Sequence, residues 1–151
     1  MKKLLFIFLF FLFSPSCFAE VFITSVLPNT TDDTNLEYIE LYNSSGSSVD
    51  ISGYSLSDLS GKTYMFESGA TLESRIFTQI LRPETKIILN NTNEEVFLKN
   101  PSGEIIDSIA YANSTKGEKI TFLEKIPSEN MMSQEAIISQ EVNPEENTSD
   151  S

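Results

Sequence analysis

Over residues 21–125 no stretch of ten or more residues carries the i, i+3, i+4, i+7 apolar repeat of a helix. Short runs rich in Val, Ile, Phe, Tyr and Thr alternate instead with clusters of Asn, Asp, Gly, Pro and Ser. The runs fall at 21–27, 37–42, 49–51, 54–57, 62–66, 75–81, 85–89, 96–99, 104–112 and 120–123. One strand and turn roughly every 8–12 residues is the rhythm of an all-β sandwich or barrel. About a hundred residues of this kind are enough to fold without disulfides.

Alternation assigns the faces. In β geometry successive side chains point to opposite sides. Ile39 and Leu41 therefore share one face, and Tyr38, Glu40 and Tyr42 the other. Farther on, Ile105, Asp107, Ile109 and Tyr111 share a face, with Ile106, Ser108 and Ala110 opposite. Neither side there is cleanly polar, which predicts a central strand. Pro101-Ser102-Gly103 reads as a tight hairpin. Gly53 and Gly61 sit where a positive φ is expected.

The segment before this region reads as an address. Lys2 and Lys3 precede ten apolar residues, Leu4 to Phe13, and Ser14-Pro15-Ser16 breaks the run. This is the three-part pattern of a secretory signal peptide over 1–19. The cleavage site is Cys17-Phe18-Ala19, with the cut between Ala19 and Glu20. Ten residues make only about 15 Å of helix, half of a bilayer core, so no stable membrane insertion is expected after cleavage. Lipidation at Cys17 is the rival reading, disfavoured by Ser14 and Pro15 where a lipoprotein signal has other residues. The expected location is secreted, periplasmic or cell-surface.

Cleavage would leave eight basic and 22 acidic residues, changing the net charge from −12 to −14, and would remove the only Cys. Residues 127–151 hold six acids and no Lys, Arg, Gly or aromatic residue. Such a segment buries too little apolar surface to offset its ordering entropy, and the expectation is a disordered acidic tail over 126–151. The domain proper is then 20–125.

The counts exclude several chemistries. Without His there is no His-assisted nucleophile and no imidazole metal site, and one Cys cannot build a zinc site. No Ser-x-x-Lys sits in a helical context. A carboxylate pair for glycoside chemistry would lack the usual Trp platforms. The expectation is a chain that is not an enzyme. Its negative charge argues against nucleic acid as a partner; Lys116, Lys119 and Lys125 form the visible basic cluster, and Glu118 and Glu124 interrupt it.

Two candidate constellations remain. Asp32, Asp33, Glu37 and Glu40 could offer oxygen ligands to Ca²⁺, a hard cation that takes six to eight of them, although no EF-hand frame is present. The tyrosines Tyr38, Tyr42, Tyr54, Tyr64 and Tyr111 could bind glycans or peptides, but are better read as core-edge residues whose hydroxyls reach backbone groups. Asn29, Asn43, Asn90, Asn113 and Asn147 each open an Asn-x-Ser/Thr triplet, relevant only in a glycosylating host.

Several segments in order resemble one family. These are Val21-Phe22-Ile23-Thr24-Ser25-Val26-Leu27-Pro28-Asn29, then Leu36-Glu37-Tyr38-Ile39-Glu40-Leu41-Tyr42-Asn43, then Val49-Asp50-Ile51-Ser52-Gly53-Tyr54-Ser55-Leu56-Ser57-Asp58. Ile87-Ile88-Leu89-Asn90-Asn91 and the stretch from Val96 to Asp107 follow. Together they resemble the lamin-tail domain, with Tyr54 at a position where the family usually has Trp. The resemblance implies an immunoglobulin-like β-sandwich. It also implies an accessory or interaction module, of the kind that in bacterial proteins stands beside secreted hydrolases. It carries no catalytic motif. No coiled-coil heptads accompany it, so filament assembly is not implied. The function expected is a non-enzymatic module that binds a protein or glycan at the cell surface through strand edges or end loops. The alternatives are a Ca²⁺-dependent adhesion module or an accessory domain beside a secreted hydrolase.

Overall fold

A computed structural model describes residues 21–31 and 36–126. Ten strands occur among them, in chain order: β1 (Val21–Leu27), β2 (Tyr38–Asn43), β3 (Val49–Asp50), β4 (Ser55–Asp58), β5 (Thr63–Met65), β6 (Thr71–Leu72), β7 (Phe77–Leu81), β8 (Thr92–Lys99), β9 (Ile105–Asn113) and β10 (Ile120–Thr121). A single helical turn, α1 (Arg82–Thr85), follows β7, and a 3-10 turn at Leu123–Lys125 follows β10. All pairings are antiparallel. The first sheet has the order β10-β1-β2-β7, the second β5-β4-β8-β9, and β3 with β6 forms a separate two-stranded ribbon.

The two sheets face each other across one core. Val21, Ile23, Val26, Ile39, Leu41 and Ile80 enter it from the first sheet; Leu56, Val96, Leu98, Ile109 and Tyr111 enter from the second. Ile51 and Leu72 come from the ribbon and its flank. This is the all-β, immunoglobulin-like sandwich that the strand rhythm and the resemblance predict. Burial of a Leu or Ile at such a position contributes about 1.5–3 kcal/mol, which explains why the period-2 pattern fixes the register.

Turns are held by side chains as well as by backbone. Asn100 Oδ1 accepts the amides of Ser102 and Glu104, closing the β8–β9 hairpin with Gly103 at φ 85°. Asp58 Oδ1 does the same for the Lys62 amide in the β4–β5 turn, where Gly61 has φ 88°. Asn43, fully buried, is a larger organiser. Its Nδ2 donates to the carbonyls of Ser47 and Leu72, and its Oδ1 accepts from the Ser45 amide and hydroxyl.

Three expectations are corrected. Residues 85–89 are not a strand. Ile87 and Leu89 do alternate into the core. Their amides, however, go to Thr85 Oγ1 and Glu37 Oε2 rather than to a ladder, after Lys86 turns the chain at φ 58°. The second correction concerns β9, which is an edge strand and not a central one. Its mixed inner face arises because Asp107 leaves its own sheet to bond elsewhere. Asp107 Oδ2 accepts the Ile23 amide of β1 at 2.8 Å, and Oδ1 accepts Lys125 Nζ at 2.7 Å. The third lies at the start of β9, where a register shift turns Ile105 outward (52% exposed) and packs Ile106 against the core, against the faces that alternation assigns them. The short β6 lies outside the runs read from sequence.

Candidate functional site

The described residues bury several carboxylates, and each is bound to groups of the chain itself. Glu94 of β8 is 2% exposed. It accepts the amides of Leu59 and Glu95 on Oε1, and the amide and Nδ2 of Asn90 on Oε2. Glu37 pairs with Arg82 Nη1 at 2.9 Å through Oε1 and takes the Leu89 amide through Oε2. Asp107 is divided between Ile23 and Lys125, as above. Carboxylates held by this many donors lock loops together. They are poorly placed to shuttle protons to a substrate.

The Ca²⁺ candidates can be placed in part. Asp32 and Asp33 lie outside the described residues. Glu37 and Glu40 are not brought together. Glu37 turns toward Arg82 and the Leu89 segment, whereas Glu40 stands on the opposite side of β2 with its Oε1 on the hydroxyls of Thr24 (3.1 Å) and Ser25 (2.9 Å). No group of three or more acidic, His or Cys side chains suited to a metal occurs among the described residues. Ala19, Glu20 and Cys17 also lie outside them, as does the tail beyond Ile126.

Glu40 occupies the centre of a distinct surface. The registers β1–β2 and β2–β7 set nine outward positions in three rows. Leu27, Tyr38 and Leu81 form one row. Ser25, Glu40 and Gln79 form the second. Phe22, Tyr42 and Phe77 form the third. The arrangement depends on an irregularity in β1 between Ile23 and Ser25, which shifts the outward phase so that Ser25 and Leu27 join Phe22 on one side. Thr24 sits in that irregularity, fully buried, and donates to Glu40.

The outer rows are apolar and partly open. Tyr42 is only 1% exposed although it lies outside the core cluster, and Phe77 packs on it with ring centroids 4.5 Å apart. Phe22, Leu27, Tyr38 and Phe77 are half-buried, and Leu81 is 40% exposed. Burial raises the Tyr38 pKa above its ordinary value; the Glu40 charge adds to this, while a hydrogen bond with Ser25 opposes it. Glu40 is 7% exposed, so the face shows solvent almost no charge. The outer face of the second sheet differs. There β8 presents Glu95, Phe97 and Lys99, with Ser55 and Ser57 beside them on β4 and Ser108 and Ala110 on β9.

Two partly open apolar rows flanking an enclosed Glu40, on a face against which no second sheet packs among the described residues, are a feature associated with partner binding. Such a face can bury rings and leave the sheet rigid beneath them. Sequence parity already puts Tyr38, Glu40 and Tyr42 on one face. The contribution of Phe22, Leu27 and Phe77 is not legible without the β1 irregularity and the pairing of β2 with β7. Among the other tyrosines, Tyr111 donates to the Asn90 carbonyl at 2.6 Å and Tyr64 to Glu84 Oε1. Asn43, one of the five Asn-x-Ser/Thr positions, is enclosed and fully hydrogen-bonded, which removes it as an acceptor in the folded chain.

A family model described as Lamin Tail Domain matches residues 14–113, about two thirds of the chain. No curated protein matches it significantly.

Proposed function

The chain belongs to the lamin tail domain family, and from that premise we propose that it is an exported, non-enzymatic module that binds a protein partner through the outer face of the β10-β1-β2-β7 sheet. The observation that carries this reading is the three-row surface built on β1, β2 and β7, with aromatic and aliphatic rows on either side of an enclosed Glu40. Export is supported by the basic start, apolar run and small-residue site over 1–19. A non-enzymatic role is supported by the absence of His from the sequence. The engaged state of Glu37, Glu94 and Asp107 supports it too.

The test compares two faces. The chain, a Tyr38→Asp variant and an Ile105→Asp variant are crosslinked in envelope and secreted extracts. Ile105 is 52% exposed at the far end of the second sheet and serves as the control. The expected partner is captured by the chain and by Ile105→Asp and is lost with Tyr38→Asp. Loss with Ile105→Asp alone would move the site to the second sheet. A hydrolytic activity of the pure protein, abolished by one carboxylate change, would overturn the non-enzymatic reading.

A further inference from the structure

Strand β7 ends the first sheet, and its side away from β2 carries no strand among the described residues. The phase of that open edge can be derived. The Arg82 amide donates to the Glu37 carbonyl at 2.8 Å, and the same register pairs Ile80 with Ile39 and Thr78 with Leu41. Hydrogen-bonded pairs alternate in an antiparallel ladder, so residues 78, 80 and 82 point their backbone groups at β2. Phe77, Gln79 and Leu81 point theirs away from it.

Among the described residues this edge lacks several of the usual protections, although Arg82 and Pro83 follow directly at its end. Residues 76–81 read Ile-Phe-Thr-Gln-Ile-Leu, with no charge and no Pro in a chain of net charge −12. The register along β2–β7 is unbroken. Ile76 is 50% exposed and Leu81 40%. The other edges are protected or short: β5 and β10 have three and two residues, and β9 carries Asp107 and a register shift beside Lys99. Uncharged, unbroken edges are what natural sheets avoid unless something pairs with them.

We propose that this chain self-associates through β7, two copies pairing antiparallel about a two-fold axis at Gln79. Three features select a second copy as the occupant. With the axis at Gln79, Gln79 faces its own equivalent and Phe77 faces Leu81, so every outward N–H of the three residues meets an outward C=O of the other copy. The side chains brought together are apolar on both flanks, with no acid on acid. The same register carries Arg75 of one copy toward the Pro83–Glu84 turn of the other, opposite in sign. The result is an isologous dimer in which two four-stranded sheets become one continuous sheet and the aromatic rows run across both copies. This inference stands apart from the identity of any outside partner.

The test uses the two-fold itself. Light scattering across a concentration series is applied to the chain, to Gln79→Lys, to Gln79→Glu and to an equimolar mixture of the two variants. Melting curves establish that each variant folds, as the Gln79 side chain is exposed and its amide does not bond to β2. The expected result is a concentration-dependent dimer for the chain, monomers for each variant alone, and a dimer for the mixture, where Lys meets Glu across the axis. Amide exchange at Phe77, Gln79 and Leu81 is expected to slow as concentration rises. A chain that stays monomeric with these amides protected at every concentration would show that a segment of its own covers the edge. A monomer with them unprotected would show an edge open to other proteins. Either outcome, or a dimer indifferent to both variants, overturns the proposal.

Discussion

The carboxylate of Asp107 in β9 accepts the backbone N–H of Ile23 in β1, 84 residues away in sequence, at 2.8 Å. That amide lies next to the irregularity in β1, and the bond crosses from one sheet to the other. The second oxygen of Asp107 holds Lys125 at 2.7 Å, and Lys125 also donates to the Ser108 carbonyl. One side chain thus joins the first strand, the last strand of the second sheet and the closing 3-10 turn.

Replacing Asp107 by Ala removes the acceptor of a partly buried amide and takes the counter-charge from Lys125, which keeps the Ser108 carbonyl. The expected loss is about 2–4 kcal/mol in urea unfolding. Lys125→Met leaves the Ile23 bond in place, and because Lys125 is about one quarter exposed the expected loss is smaller, about 1 kcal/mol. Equal losses for the two variants would show that the ion pair, and not the amide bond, dominates.

Glu94 is the most heavily bonded carboxylate among the described residues, with three amides and one Asn side chain on its two oxygens. Glu94→Ala leaves those donors without their acceptor, and the expected cost is about 3 kcal/mol. Its neighbour Glu95 points outward, so Glu95→Ala is expected to change stability by no more than about 0.5 kcal/mol. Paired denaturation curves check both, and a Glu94→Ala protein as stable as Glu95→Ala would refute the assignment.

Tyrosine ionisation sets an alkaline limit. Burial, and then the Glu84 carboxylate to which it donates, push Tyr64 from 10.0 up to about 12. Tyr111 is raised further, by burial first and then by the charges of Glu94 and Glu37. A folded-state pKa above the unfolded value favours the folded chain fully below pH 10 and loses that advantage as pH climbs through about 12. Thermal melts from pH 8 upward, read beside phenolate absorbance, are expected to hold steady to about 10 and then fall. A flat profile across that interval would contradict the shift.

Glu37 and Glu40 lie on opposite sides of β2, each with its own donors. Millimolar Ca²⁺ is therefore expected to leave the melting temperature unchanged, since a cation bound only by the folded state would raise it. A rise abolished by Asp32→Asn together with Asp33→Asn would locate a site at those two residues instead.

Much of the fold was legible because burial and parity agree along most strands. Ile39 and Leu41, Val96 and Leu98, and Ile109 and Tyr111 keep the phase that simple alternation assigns, whereas the register shift at the start of β9 turns Ile105 outward and packs Ile106 against the core. The misreading at 85–89 has a physical origin. Ile87 and Leu89 satisfy the apolar half of a strand pattern, but Thr85 and Glu37 take the amides that a neighbour would have taken. The proposed binding face was half visible, through Tyr38, Glu40 and Tyr42. Phe22 and Leu27 share that face only because β1 changes phase between them, and parity cannot register such a change. Asp107 carried a signal of another kind, an acid on the same phase as the inward Ile109 and Tyr111. Its partners could be identified only once the sheets were in place.

The β10–β1 pairing covers just Ser25 with Thr121 and Val26 with Ile120, beside the Lys125–Asp107–Ile23 junction. Chain entry and chain exit are thus fastened at one corner of the sandwich. Tension applied between the two ends would load that corner first. The two-residue ladder would peel open one bond at a time, while the longer β1–β2 ladder behind it resists along its length. Under such tension the corner is expected to open at lower force than the core.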